Sequence, residues 1–195
     1  MTRHGATLGP DYFEGMFQGT DDPWDLETSP YEQGKFQDSI DALSGRAYTR
    51  ALEIGCAKGV LTQKLAPSCS ALLAVDVSKT ALDAARQRCA ALEHVTLRQM
   101  AFPAEAPEGL FDLIVLSEVV YYWDDGDIAL AAERIGQCLA PGGDLLLVHW
   151  IGETDYPQSG DDAVTKLSAA LDATMEVVIA RREPCYRLDL WRRAD

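Results

Sequence analysis

Five short apolar runs, separated by polar stretches with helical spacing, limit what this chain can fold into. They are "RALEI" (50–54), "ALLAVD" (71–76), "VTLRQ" (95–99), "FDLIVLS" (111–117) and "DLLLVHW" (144–150). Runs of this length, rich in Val, Ile and Leu and lacking a polar face, read as parallel strands buried on both sides. Between several of them lie helices. "SKTALDAARQRCAAL" opens on a Ser78 cap and sets Leu82, Ala85, Cys89 and Leu92 on one face. "GDIALAAERIGQCLAPGG" carries Ile128, Ile135 and Leu139 and is expected to stop at Pro141-Gly142-Gly143. The connection after Leu97, "MAFPAEAPEG", is too short for a regular crossover helix. Strand–helix alternation of this kind predicts a doubly wound, Rossmann-like α/β sheet.

The ends of the chain depart from the alternation. "SPYE" (29–32) is a capping box opening a helix that ends near Ser44-Gly45, with Phe36, Ile40 and Leu43 toward the core. A further helix is expected around Ala163 to Leu171. After it, "TMEVVIARREPCYRLDLWRR" gives two strands joined by a very short link, which only an antiparallel pair can use. The expectation is therefore a mostly parallel seven-stranded sheet closed by a C-terminal antiparallel hairpin, with Trp191 and the hairpin edge exposed. The 195 residues divide into an N-terminal arm or lid (1–28) and one domain (29–195).

At the first strand the chain reads Glu53-x-Gly55-x-x-x-Gly59, and Asp76 closes the second strand, about 20 residues after Gly55. A glycine turn entering a helix, followed at that distance by an acid, is a nucleotide-cofactor arrangement in which the acid grips ribose hydroxyls. The dinucleotide version needs glycine where Ala57 and Val60 stand, and Glu53 repels a pyrophosphate. The same carboxylate favours a ligand that carries an ammonium and a sulfonium. S-adenosyl-L-methionine has both, with a ribose for Asp76 and no phosphate.

Composition narrows the partners. A net charge of −14 opposes nucleic acid and suits a neutral or cationic small acceptor. The five cysteines (56, 69, 89, 138 and 185) form no C-x-x-C pair, so reduced structural thiols are expected. No His/Asp cluster suggests a catalytic metal. Residues 1–10 lack an apolar signal region and no run approaches membrane-helix length, so a cytoplasmic protein without a membrane partner is expected, in an oligomeric state left open.

The motifs "LEIGCAKG", "LLAVDVS", "FDLIVLSEVVYYWDD" and "LAPGGDLLLVHW" resemble those of the class I S-adenosylmethionine-dependent methyltransferases over about Tyr31 to Trp191. With "DDPWDLETSPYEQGKF" and "HWIGETDYPQSGD", the likeness is to the NodS-type Nod-factor N-methyltransferases. The resemblance implies that Gly55, Cys56, Ala57 and Gly59 form the turn around the methionine moiety, with Glu53 toward its ammonium. It places Asp76 on the ribose and Val77 against adenine. Related chains commonly have glycine at the place of Ala57, and an aspartate on adenine where this chain has Ala101. The backbone of Ala101 and the ring of Phe102 are the implied substitutes. Lys35 is implied for the cofactor carboxylate, with Trp24 and Tyr31 in a lid.

At the carboxyl ends of strands four and five, Ser117, Glu118, Tyr121, Tyr122 and His149 stand where an acceptor and the methyl group meet. Ser117 and Glu118 border the cofactor; Glu118, Tyr122 and His149 are the candidate catalytic residues. Glu118 or His149 removes a proton from an amine acceptor, and Tyr122 orients it. Asp155 and Tyr156 are candidates for the acceptor pocket. The implied activity is N-methylation of an amino sugar or glycoconjugate. The alternatives are O-methylation of a hydroxyl, for which His149 is indispensable, a dinucleotide-dependent oxidoreductase, and a catalytically inactive binding scaffold. Glu118 as a helix cap, a packed Tyr pair and His149 as a satisfied core histidine are the structural readings of the same residues.

Overall fold

The computed structural model describes residues 3–171 and 175–195. Thr174, expected to open the hairpin, and the first two residues of the arm lie outside the described residues. Two units are distinguished: Gly9–Met100, and residues 3–8 together with Ala101–Asp195.

The first unit holds helices α1 (Pro10–Gly19), α2 (Pro30–Ala42), α3 (Val60–Leu65) and α4 (Lys79–Arg88) around strands β1 (Ala51–Ile54), β2 (Leu72–Asp76) and β3 (Val95–Gln99). The strands are parallel in the order β3-β2-β1, with Glu53 opposite Ala74 and Asp76 opposite Gln99. All four residues of β1 are buried, as a strand covered on both faces requires. Ser29 caps α2 through the Glu32 N–H, while the Glu32 carboxylate turns to Lys35 at 2.9 Å. Phe36 and Leu43 are core residues and Ile40 is half-buried. Ser44 and Gly45, both at positive φ, end that helix as the sequence predicts. Ser78 caps α4 by accepting from the Ala81 N–H, and Leu82, Ala85 and Cys89 are buried beneath it.

The second unit contains β4 (Phe111–Ser117), a 3-10 turn (Val120–Tyr122), α5 (Asp125–Cys138), β5 (Leu139–Trp150), α6 (Gly160–Ala170), β6 (Met175–Arg182) and β7 (Tyr186–Arg193). The strand order is β4-β5-β7-β6, parallel between β4 and β5 and antiparallel on both sides of β7. Residues 101–110 form turns without a helix. The doubly wound α/β plan with seven mostly parallel strands and a C-terminal antiparallel hairpin is therefore present.

Two expectations are corrected. Pro141-Gly142-Gly143 is not a loop after the helix: α5 ends at Cys138, and β5 runs from Leu139 through these residues as a bulge, shifting register between Phe111 and Leu113. A bulge absorbs extra residues without ending the strand, which a stop signal in sequence does not reveal. Trp191 is not exposed. It is 4% accessible, because β7 is an interior strand flanked by β5 and β6. Within the hairpin, the exposed apolar side chains are on β6, at Val177 (66%) and Val178 (46%).

Candidate active site

In the first unit, the chain leaving β1 makes a turn with three residues at positive φ: Gly55 (+79°), Ala57 (+46°) and Gly59 (+77°). The N–H groups of Gly55 and Cys56 both donate to Val75 O, and the Gly59 N–H donates to Cys56 O. Gly59 is required twice over. Its φ disfavours a side chain, and a Cβ there would stand 3.1 Å from Ala85 Cβ and 3.2 Å from Ala85 Cα. Ala57 holds a similar conformation with a side chain attached, at a strain of about 1–2 kcal/mol.

Asp76 locks this turn from the end of β2. Its carboxylate accepts from the Ala57 N–H and the Ser78 N–H, each at 2.8 Å. Each oxygen retains a second acceptor direction, which suits a vicinal diol. Glu53, 2% accessible, accepts from the Thr62 hydroxyl at 2.6 Å. Burial pushes its carboxyl up to about 7; the Thr62 bond opposes this, and the charge of Asp76 adds to it. Burial also raises Asp76, against the N–H groups of Ser78, Ala57 and Val77. The Cys56 thiol is raised well above its usual value by burial and by these same two acids. Two buried, mutually repelling carboxylates fit a cationic ligand and reject a pyrophosphate. The donor set therefore fits S-adenosylmethionine.

The arm contributes to the same unit. Trp24 packs edge-on against Phe17 at 5.5 Å. The Lys35 ammonium, almost fully buried, pairs with Glu32 and lies 5.1 Å above the Tyr31 ring. Val77 is half-buried, its carbonyl accepting from Gln99 Nε2. Three anchors escaped sequence reasoning. Lys58, inside the glycine turn, pairs with Glu27 at 2.6 Å and Asp21 at 3.3 Å. Arg88 reaches Glu27 at 2.7 Å and donates to Lys58 O. Glu14 on α1 accepts from the hydroxyls of Ser78 and Thr80 at 2.7 and 2.6 Å, bonds that hold its carboxyl at about 2. Only Lys58 carried a local signal, as a cation within a turn otherwise lined by acids.

In the second unit, Ser117 ends β4, and Glu118 follows at φ +58°. The Glu118 carboxylate accepts from the Tyr121 hydroxyl at 2.5 Å and from the Trp150 N–H at 2.9 Å. Tyr121 and Tyr122 are both buried, and burial raises both phenols well above their usual value. Their rings meet edge-on at 4.6 Å, and Tyr156 stacks on Tyr121 and abuts Tyr122. His149 is fully buried, and its Nε2 accepts from the Val120 N–H at 3.1 Å. This bond uses the ring's lone pair to brace the turn that carries the tyrosines. Asp155 O accepts from the His4 N–H, and Tyr156 O from Arg3. Ala101 donates its N–H to Glu105 at 2.8 Å, and the buried Phe102 ring packs against Trp123.

The turn residues 53–59 with Asp76 and Val77 thus form one group in the first unit; Ser117, Glu118, Tyr121, Tyr122, His149 and Tyr156 form another in the second. Among the described residues, no helix is long and apolar enough to cross a membrane.

The family model described as Nodulation protein S (NodS) matches residues 17–153. Nodulation protein S of Rhizobium tropici is 38% identical over 128 residues, covering 65% of this chain and 54% of that protein. The Sinorhizobium fredii protein of that name is 37% identical over 128 residues, covering 65% and 59%. The matched part thus spans little more than half the length of these curated relatives. The crystal structure of N-methyltransferase NodS from Bradyrhizobium japonicum WM9 in complex with S-adenosyl-L-homocysteine superposes with a TM-score of 0.83 at 27% identity, over 96% of this chain and all of that one.

Proposed function

The chain belongs to the NodS family, and from that premise we propose that it transfers a methyl group from S-adenosylmethionine to the amine of an amino sugar or glycoconjugate. The observation that carries this reading is the buried pair Glu53 and Asp76, held together by a positive-φ turn. Asp76 receives the ribose hydroxyls, the turn Gly55–Gly59 surrounds the methionine moiety, and Glu53 attracts its ammonium, with Val77 against adenine. Lys35, anchored on Glu32, faces the cofactor carboxylate as part of the lid formed with Trp24 and Tyr31. The N–H of Ala101 is engaged by Glu105 and the ring of Phe102 packs against Trp123.

The bound cofactor supplies a methyl group on a sulfonium, which displacement delivers to a nucleophile without a covalent enzyme intermediate. The protein's work is then approximation and proton removal. Glu118 attracts the acceptor ammonium and takes a proton from it, Tyr122 orients the acceptor, and His149 holds their turn through Val120. The fixed Nε2 bond favours this bracing role for His149 over that of a base.

The test is incubation with labelled S-adenosylmethionine and a glucosamine oligosaccharide bearing one free amine, beside its fully N-acetylated counterpart. Label on the free-amine sugar alone is the expected result. Label on both sugars equally overturns N-methylation in favour of a hydroxyl, and label on neither overturns the acceptor class.

A further inference from the structure

We propose that Tyr121 is a positioning residue for Glu118: its phenol fixes the rotation of that carboxylate and keeps it ionised for an ammonium-bearing acceptor. The inference rests on the reading above, in which Glu118 meets the acceptor amine.

The two side chains are tied by a short hydrogen bond. The Tyr121 hydroxyl donates to Glu118 Oε2 at 2.5 Å, the range of a charge-assisted O–H···O⁻ bond. The Trp150 N–H donates to the same oxygen at 2.9 Å, so two donors from different elements converge on one carboxylate oxygen. Such convergence sets the plane of the carboxylate rather than its position alone. Tyr121 itself is 5% accessible, with its ring stacked on Tyr156 at 5.3 Å and edge-on to Tyr122 and His149. A ring so enclosed acts through Glu118, not on the acceptor.

The backbone is arranged to deliver this bond. Glu118 occupies the left-handed region at φ +58°, an unfavourable conformation for a residue with a Cβ, and it persists because its surroundings over-determine it. Its own N–H donates to Val148 O, the Val120 N–H donates to His149 Nε2, and the Tyr122 N–H donates to Val119 O. These bonds fold residues 118–122 so tightly that a side chain three positions on returns to Glu118. Tyr121 and Tyr122 of the turn lie beside the carboxylate, with His149 of β5 and Tyr156 of the 151–159 loop packed against their rings. His149 accepts through Nε2 and is therefore neutral, and the two hydrogen bonds donated to Glu118 favour its ionised form.

Tyr121→Phe keeps the stacked ring and removes only the hydroxyl. The acid limb of the kcat/KM profile should move upward by about one pH unit, and the KM for the amine should rise about tenfold with the KM for S-adenosylmethionine unchanged. In a Glu118→Gln background the same substitution should cost nothing further. An unmoved acid limb, or a loss that adds fully to that of Glu118→Gln, overturns the proposal. A second readout needs no acceptor. In protein carrying 13C-labelled glutamate carboxyls, the signal lost in Glu118→Gln should titrate at higher pH in Tyr121→Phe than in the native chain. An unchanged midpoint overturns the role of Tyr121 whatever the acceptor, whereas a shifted midpoint with no methylation of any amine overturns the acceptor reading alone.

Discussion

The Ala57 N–H donates to the Asp76 carboxylate across 2.8 Å, joining residues 19 apart in the chain into one rigid corner. The acid assigned to the ribose is thus also the residue that closes the glycine turn. Removing it does more than delete a ligand contact, because the N–H groups of Ala57 and Ser78 lose their acceptor. Asp76→Ala should lower the unfolding free energy by about 1–3 kcal/mol in urea titration. Asp76→Asn keeps one carbonyl acceptor and should fall between the two. Equal stability of Asp76→Ala and the native chain would dissociate Asp76 from the turn.

Gly59 and Ala57, two of the three positive-φ residues in this turn, should respond differently to substitution. Gly59→Ala combines a left-handed conformation with a Cβ 3.1 Å from Ala85, and should cost about 1–3 kcal/mol. Ala57→Gly relieves a strained conformation while freeing the unfolded chain, and should stay within about 1 kcal/mol of the native stability. Denaturant midpoints of the two variants check the pair.

Glu53 makes cofactor affinity depend on pH. Burial raises its carboxyl to about 7, and a cationic ligand binds the ionised form. Binding therefore releases a proton below that value. Affinity for S-adenosylmethionine should rise by up to about tenfold per pH unit on approaching 7 from below and level off above it. Titrations in buffers of different ionisation enthalpy read the released proton, and Glu53→Gln should flatten the dependence. Affinity that falls with pH through this window would contradict the assignment.

How much of this was legible in the sequence differs by residue. The bounds of β3 and β4 follow directly from apolar runs closed by polar or turn residues, and the Ser29 and Ser78 caps act where their sequence positions suggest. Helix α1 was not legible. Gly9 supplies no capping side chain, and the helix is held by Glu14 on Ser78 and Thr80 and by Phe17 on Trp24, partners that no local pattern announces. The turn 53–59 and Asp76 were legible because a positive-φ loop restricts residue type at each position. The clasp of Tyr121 on Glu118 was not, because it depends on a left-handed residue that is not glycine. The pairing of Lys58 with Glu27 spans 31 positions and is set by tertiary placement alone.

That last pair yields a prediction for the arm. Glu27 bridges Lys58 and Arg88, and its carboxyl lies below the ordinary value of 4.5 chiefly through the Lys58 hydrogen bond. A depressed folded value means the bridge contributes above the unfolded value and is lost as pH falls through the folded one. Amide exchange in residues 20–28 should accelerate in Glu27→Gln at neutral pH, with global stability changed by no more than about 1 kcal/mol. Unchanged exchange would show that other contacts hold the arm.

The measurement that bears most directly on the account is calorimetric titration of S-adenosylhomocysteine into the native chain and into folded Asp76→Ala. The account predicts micromolar-range binding by the native chain, about 8 kcal/mol, weakened by about 1–3 kcal/mol in the variant. No binding to the native chain would contradict the cofactor assignment itself, and equal binding by both would contradict the placement of the ribose on Asp76.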